Sequence, residues 1–322
     1  MTTQQRPATK KKVVFLIGAG HCGSTLLDLI LGSHSHAFSL GEFNRIYDIL
    51  DRPHKAHPRI CGVCEEDCEF WNGCTFLPAL RLLYSKRNKA LSAIGKISRL
   101  AINPYRFLFG WTGKNILVDS SKLPYWLQYQ LRFPHTWKHI KPFLVYVARD
   151  GRAVVNSYLR KYPDKGVHAI TENWITKINQ LNAIYNDFPV QRRITVRYEQ
   201  LATEPKTVLQ PLCQLLELEY EDSMLQYWKH AHHHIAGNAG TRSLIFKYRK
   251  TLDQNMSAKR AETERGKAYY HEQYYNDLNT GIRLDLRWKN QLSIPDLRIF
   301  ETMAGKLNEP FRYDGQDSHP CP

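Results

Sequence analysis

The chain has 322 residues, of which 43% are hydrophobic and 23% charged, the composition of a globular protein long enough to bury a sizeable core. Its 45 Lys and Arg against 30 Asp and Glu leave a formal net charge of +15, which calls for an anionic partner such as nucleic acid, a membrane surface, an acidic macromolecule or a phosphorylated cofactor. The basic residues form no polybasic tract, no apolar run is long enough to span a bilayer, and the polar start MTTQQRPATKKK has the character of neither a signal peptide nor an anchor. A nucleic-acid reader and a membrane-spanning protein are therefore disfavoured, and a cytoplasmic location is expected.

Residues 1–12 are expected to be a disordered tail. The segment that follows, VVFLIGAGHCGSTLL, predicts a buried strand over 13–17, a glycine-rich turn over 18–23 and a helix opening at Ser24 and Thr25. Such a turn is an anion cradle, because backbone N–H groups and a helix N-terminus point at one spot and glycine lets a phosphate come close. Gly18 and Gly23 hold the spacing of a nucleotide-binding G-x-x-x-x-G-K-[ST] loop, but Ser24 stands where its lysine belongs. That lysine normally reaches the outer phosphates of ATP or GTP. Its loss argues against nucleoside-triphosphate hydrolysis and for a diphosphate-like group held by amides and hydroxyls; the alternative is a tight turn with no ligand.

Residues 33–41 form a short connection with room for an edge strand, and they deliver Glu42. From 51 to 112 the composition changes to a mostly helical insertion with a cysteine cluster, Cys61-x2-Cys64-x3-Cys68-x5-Cys74. In a cytosolic chain this pattern points to zinc before disulfide, although the last spacing is loose and no second C-x-x-C follows. Plain thiols in a surface insertion are the other reading.

Strands are expected again at 115–118, ending in Asp119-Ser120-Ser121-Lys122, at 143–148, ending in Arg149-Asp150-Gly151-Arg152, and at 194–198. Helices are expected over 124–133, 153–160, 167–187 and 207–216. The alternation predicts an α/β fold, a parallel sheet flanked by helices on both faces, in a single domain over 13–312 with a tail over 313–322. Ligands of such sheets sit at the carboxyl ends of the strands, and residues 18–25, 119–122, 149–152 and Glu199 all fall there. His230, His232, His233 and His234 are adjacent residues pointing in different directions, and are read as a solvated face. The charged, tyrosine-rich stretch over 244–277 is expected to be a helical excursion or a lid, with helices at 284–292 and 296–307.

A second anion site is expected where Arg149 leaves a buried strand and Ser157 lies two turns along the next helix, since an arginine fork beside a hydroxyl suits a phosphate monoester. With ARDGRAVVNSYLR the chain resembles the sulfotransferases that use 3′-phosphoadenosine 5′-phosphosulfate (PAPS), and most nearly their tyrosylprotein-sulfotransferase-like and bacterial branch. The resemblance extends to Gly41-Glu42, to Tyr198-Glu199-Gln200-Leu201 and to Trp288-Lys289-Asn290. It implies a P-loop-like fold that holds PAPS on Gly20, His21, Cys22, Gly23, Ser24, Thr25 and Leu26 at one end and on Arg149 and Ser157 at the other. Tyr198 would lie near the adenine, and Trp288 and Lys289 in a segment closing over the cofactor. It further implies Glu42 as the base for an acceptor hydroxyl on a small molecule, glycan, lipid or peptide, and Lys122 as a catalytic lysine. His21 replaces the usual loop Arg or Lys, a weaker and pH-dependent cation. His233, Gly237, Asn238 and Arg242 are similar to an H-x-x-x-G-N-x-x-R element of bacterial members, with one extra residue before the arginine. Two other classes stay open: a P-loop kinase or NTPase using 116–119 as its acidic strand, and a non-enzymatic nucleic-acid-binding protein.

Overall fold

The computed structural model describes residues 10–50, 60–64, 68–79, 103–132, 137–252 and 281–315. Five strands, β1 Lys11–Ile17, β2 Ala37–Gly41, β3 Ile116–Asp119, β4 Ile140–Ala148 and β5 Arg193–Arg197, form one parallel sheet in the order β2-β3-β1-β4-β5. Val13 to Ile17 are all buried, which requires cover on both faces and explains the unbroken apolar run of this strand. In register, Val13 lies opposite Leu117 on one side and Pro142 on the other. β4 begins at Ile140, earlier than the sequence suggests, and Pro142 fits because β5 pairs with β4 only from Leu144 onward.

Helices α1 Ser24–Gly32, α2 Pro104–Thr112, α3 Pro124–Leu131, α4 Gly151–Lys161, α5 Val167–Asp187, α6 Tyr198–Thr203, α7 Pro205–Leu215, α8 Ala239–Leu252 and α9 Ile294–Asn308 cover the sheet. α1 packs against β2 and β3, while α5 packs against α4 and α9. Prolines open α2, α3, α7 and α9 in the first turn, where a missing N–H costs nothing. Among the described residues no helix is long and apolar enough to cross a membrane.

Two sequence expectations are corrected. Tyr198 opens α6 instead of closing a strand, and the expected helix over 284–292 shrinks to the single turn Trp288–Gln291. There Asp285 accepts from the backbone and guanidinium of Arg287, a local turn that holds the preceding residues out of helix. The 244–277 stretch is helical through the end of α8, and the remainder lies outside the described residues, as do most of the insertion and both extreme tails.

β1 sits between β3 and β4, so the connections leave it in opposite directions. Its carboxyl end is therefore the topological switch point, the place where ligands of such sheets bind.

Candidate active site

The loop after β1 turns through His21, with φ 62°, and Gly23, with φ 95°, into α1. Gly23 caps α1 with no side-chain hydrogen bond, leaving the helix end open to an anion. Two aromatic rings press on the loop. A Cβ on Gly20 would collide with the Tyr158 hydroxyl, and one on Gly23 with the Tyr198 ring, so both glycines are required by close approach. Cys22 is buried beneath the turn, while Ser24, Thr25 and Leu26 are buried at the start of α1.

Arg149 leaves the end of β4 and reaches the same loop. Its Nη1 donates to the His21 carbonyl at 2.7 Å, its guanidinium lies 4.2 Å from the centroid of the Tyr198 ring, and it pairs with Asp285 at 3.4 Å. Arg149 Nε is buried with no hydrogen-bond partner. An arginine with one donor unspent beside an open helix end is a fit for a second anionic group. Tyr198 ties in the segment above, donating to the Arg283 carbonyl at 3.2 Å and accepting from Asp285 N–H at 3.1 Å.

Glu42 follows β2, and its neighbour Gly41 pairs with the end of β3. Lys122, with φ 61°, folds back so that Nζ donates to Glu42 Oε1 at 2.8 Å and to the Ser120 carbonyl at 3.0 Å. Arg45 holds the other carboxylate oxygen at 2.6 Å. Burial works to raise the Glu42 pKa, but Lys122 and Arg45 outweigh it and leave the group below the ordinary glutamate value, ionised at neutral pH.

His21 titrates at about 4, driven down first by burial and then by Lys161, Arg149, Lys122 and Arg160. Burial and these cations keep His21 neutral at pH 7, in line with a pH-dependent group, and the positive field beside the loop is that of its neighbours. Lys177 on α5 belongs to that field, since burial and then the charge of Lys122 lower its pKa. Nothing in the α5 sequence pattern marks this lysine.

Residues 232–238 cross over the loop as a strap. Ile235 bridges Gly41 in parallel and Cys61 in antiparallel, Glu42 N–H donates to the Ile235 carbonyl at 2.8 Å, and Asn238 N–H donates to Thr25 Oγ1 at 3.0 Å. The solvated-face reading of the histidines is overturned, because His232 and His234 are 2% and 0% exposed. His234 Nε2 lies 3.1 Å from Asp28 Oδ2 on α1, and Ser120 Oγ donates to that same oxygen at 2.6 Å. His233 instead joins the cysteine cluster, and Arg242 donates to the Gly62 carbonyl. Asp28 and His234 carry no local motif and meet only because the strap docks on α1.

Residues 141–222 match the model of the sulfotransferase family. The sulfotransferase domain of the Synechococcus PCC 7002 olefin synthase superposes with a TM-score of 0.53 at 18% identity, over 93% of this chain and 98% of that one. The sulfotransferase domain of the curacin biosynthetic pathway gives 0.50 at 19% identity, over 92% and 97%. The family match is confined to residues 141–222, and the likeness to both solved domains is one of fold. An uncharacterised protein of Aquifex aeolicus (strain VF5) is 28% identical to this chain over 232 residues, 68% of the chain but only 27% of the relative, so the chain spans about a quarter of that protein's length.

The other residues singled out in the sequence are distributed differently. Ser157 lies half-buried on α4, between Tyr158 against the loop and Asn156, whose Nδ2 donates to Gln291 Oε1 at 2.9 Å. Trp288 stacks on Arg152 at 4.1 Å, and Lys289 donates to the Asp314 carbonyl at 3.1 Å, so both engage the start of α4 and the C-terminal segment and not the loop. Glu199 is buried and accepts from Asp150 N–H at 3.1 Å. Asp119, the acidic group of the kinase alternative, is enclosed by Tyr105 Oη at 2.6 Å, Trp126 Nε1 at 2.9 Å and Ser121 N at 2.8 Å. Its oxygens are spent inside the fold.

These groups set a pH dependence of stability. His21 and His232, both at about 4 through burial, bind fewer protons folded than unfolded, so their contribution is present above pH 6.5 and lost as pH falls toward 4. Glu199, raised to about 7 by burial, acts oppositely, its contribution being present below 4.5 and lost as pH rises through 7. Two histidines against one carboxyl leave a net slope of at most about 1.4 kcal/mol per pH unit. Urea unfolding at pH 5 should therefore show lower stability than at pH 6.5. Glu199→Gln should steepen the difference and His21→Gln should flatten it; no difference in wild type would contradict the assignment.

Proposed function

We propose that this chain transfers the sulfuryl group of PAPS to an acceptor hydroxyl. One observation carries the reading: the 2.7 Å bond from Arg149 to the His21 carbonyl joins the amide-lined loop and the arginine grip into the walls of one crevice. The loop from Gly20 to Leu26 would hold the 5′ end of the nucleotide, and Arg149 with Ser157 the 3′-phosphate. Bound there, PAPS supplies the activated sulfuryl group. Tyr198, packed on both Gly23 and Arg149, forms the shared wall between the two grips.

The chain's own groups supply the rest. Glu42 takes the proton of the attacking hydroxyl, and Lys122, held on Glu42 beforehand, neutralises charge developing on the phosphate oxygen that leaves. Any negative group that draws Lys122 away from Oε1 restores basicity to Glu42, which couples filling of the site to activation of the base. His21, neutral and edge-on to Tyr158 at 4.8 Å between ring centroids, lines the loop as a hydrogen-bonding group and not as a fixed charge.

Thermal denaturation with adenosine 3′,5′-bisphosphate, ATP and GTP tests the reading. The bisphosphate should raise the melting temperature in a saturable manner at concentrations where ATP and GTP have little effect. Equal shifts with ATP, or magnesium-dependent ATP turnover, would instead support a P-loop kinase.

A further inference from the structure

We propose that Cys61, Cys64, Cys68 and His233 form a zinc site that pins the strap over residues 232–238 onto the cysteine segment. One ligand atom from each of the four side chains comes within 4.8 Å of the other three. His233 Nδ1 lies 3.5 Å from Cys64 Sγ and 3.3 Å from Cys68 Sγ. In a tetrahedral site with Zn–S near 2.3 Å and Zn–N near 2.0 Å, neighbouring donors stand roughly 3.5–3.8 Å apart, so the first separation matches and the second is about 0.2 Å short. Three sulfurs and one imidazole make a closed structural set that leaves no position for water.

The surroundings are those a thiolate cluster requires. Val63 and Cys64 N–H both donate to Cys61 Sγ, at 3.3 and 3.1 Å, and Arg249 Nη1 reaches Cys64 Sγ at 3.7 Å. Backbone donors and a nearby guanidinium offset the surplus negative charge of three thiolates on one dication. The imidazole is fixed by stacking on Phe70 at 4.6 Å and 10°, and Trp71 Nε1 donates to the His233 carbonyl at 2.6 Å. Cys74, the fourth cysteine of the sequence cluster, is buried beyond Trp71 and is not among these donors.

Placement gives the site its purpose. The 61–64 knuckle pairs with the strap through Cys61 and Ile235, and through Gly62 N–H to the His234 carbonyl at 2.7 Å. One residue further, the strap carries the Ile235 carbonyl that orients Glu42. The ion would thus hold in place a segment that completes the crevice without touching it.

The test is metal content of the untagged full chain, purified without chelator. The expected result is about one zinc per chain, falling below a tenth in Cys64→Ser and His233→Ala while Cys74→Ser retains it. Cobalt exchanged into wild type should show intense tetrahedral d–d bands and a thiolate charge-transfer band, a readout that survives if a cysteine variant fails to fold. A metal-free wild type, a Cys61–Cys64 disulfide by mass, an iron-containing chromophore, or loss of zinc from Cys74→Ser but not from His233→Ala would each overturn the proposal.

Discussion

Glu42→Gln should lower kcat by about two to four orders of magnitude, the range general-base catalysis spans, while the dissociation constant for adenosine 3′,5′-bisphosphate changes less than about threefold. The asymmetry follows from where Glu42 stands. It belongs to the β2 tip and bonds to Lys122, Arg45 and the strap, whereas the proposed nucleotide grips lie on the β1 loop and the β4 tip. Glutamine keeps the shape and one acceptor oxygen for Lys122 but cannot take a proton. Because Lys122 and Arg45 hold the carboxyl of the free enzyme below its ordinary range against the effect of burial, the acid limb of the wild-type kcat/KM profile should fall below pH 4.5. Assays of single-turnover rate and equilibrium binding on the same preparations decide the matter. Equal losses in both would remove Glu42 from catalysis and leave it a structural anchor of the crevice.

Opposite effects are expected from the two partners of the Arg149–Asp285 pair. Arg149→Met removes charge-assisted hydrogen bonds worth about 1.5–3 kcal/mol, which should weaken adenosine 3′,5′-bisphosphate about tenfold to a hundredfold. Affinity for adenosine 5′-monophosphate, which lacks the 3′-phosphate, should barely move. Asp285→Asn should do the reverse and tighten the bisphosphate severalfold, because the carboxylate now competes for the guanidinium at 3.4 Å. Arg287 already clamps Asp285 at 2.8 Å, so loss of Arg149 leaves no bare buried charge and the variant should fold. Calorimetric titration of both variants with both nucleotides gives the comparison, and a uniform loss across ligands would show that Arg149 only braces the loop through His21.

Much of the sheet was legible because its strands are covered on both faces. Residues 13–17 and 143–148 are apolar at successive positions, a signal that survives without context. The residues proposed as anion grips stood out for a related reason, each group following a strand within a few residues. Legibility failed where partners are far apart in the chain. Arg149 and Asp285 are separated by 136 positions, and Cys68 and His233 by 165. Four histidines in five residues carry no periodicity that separates buried from solvated, since the pairing of Ile235 with Gly41 and Cys61 decides it. The segment 284–292 misled for a local reason, its apolar spacing suiting a helix until Asp285 and Arg287 close on one another. His21 shows a third limit, because residue type places a histidine near neutrality and only its burial, with the assembled field of Lys161, Arg149, Lys122 and Arg160, drives it down to about 4.

The bond from Asn238 N–H to Thr25 Oγ1 spans 213 positions, and the strap that makes it also closes over Glu42. A nascent chain emerging from the ribosome can pair β1, β3, β4 and β5 well before residue 238 is free of the exit tunnel. The strap therefore docks on α1 only after much of the sheet can have formed, and such distant contacts are slow to form. Damage confined to 232–238 should accordingly mimic an active-site lesion while leaving the sheet's far-ultraviolet signature in place.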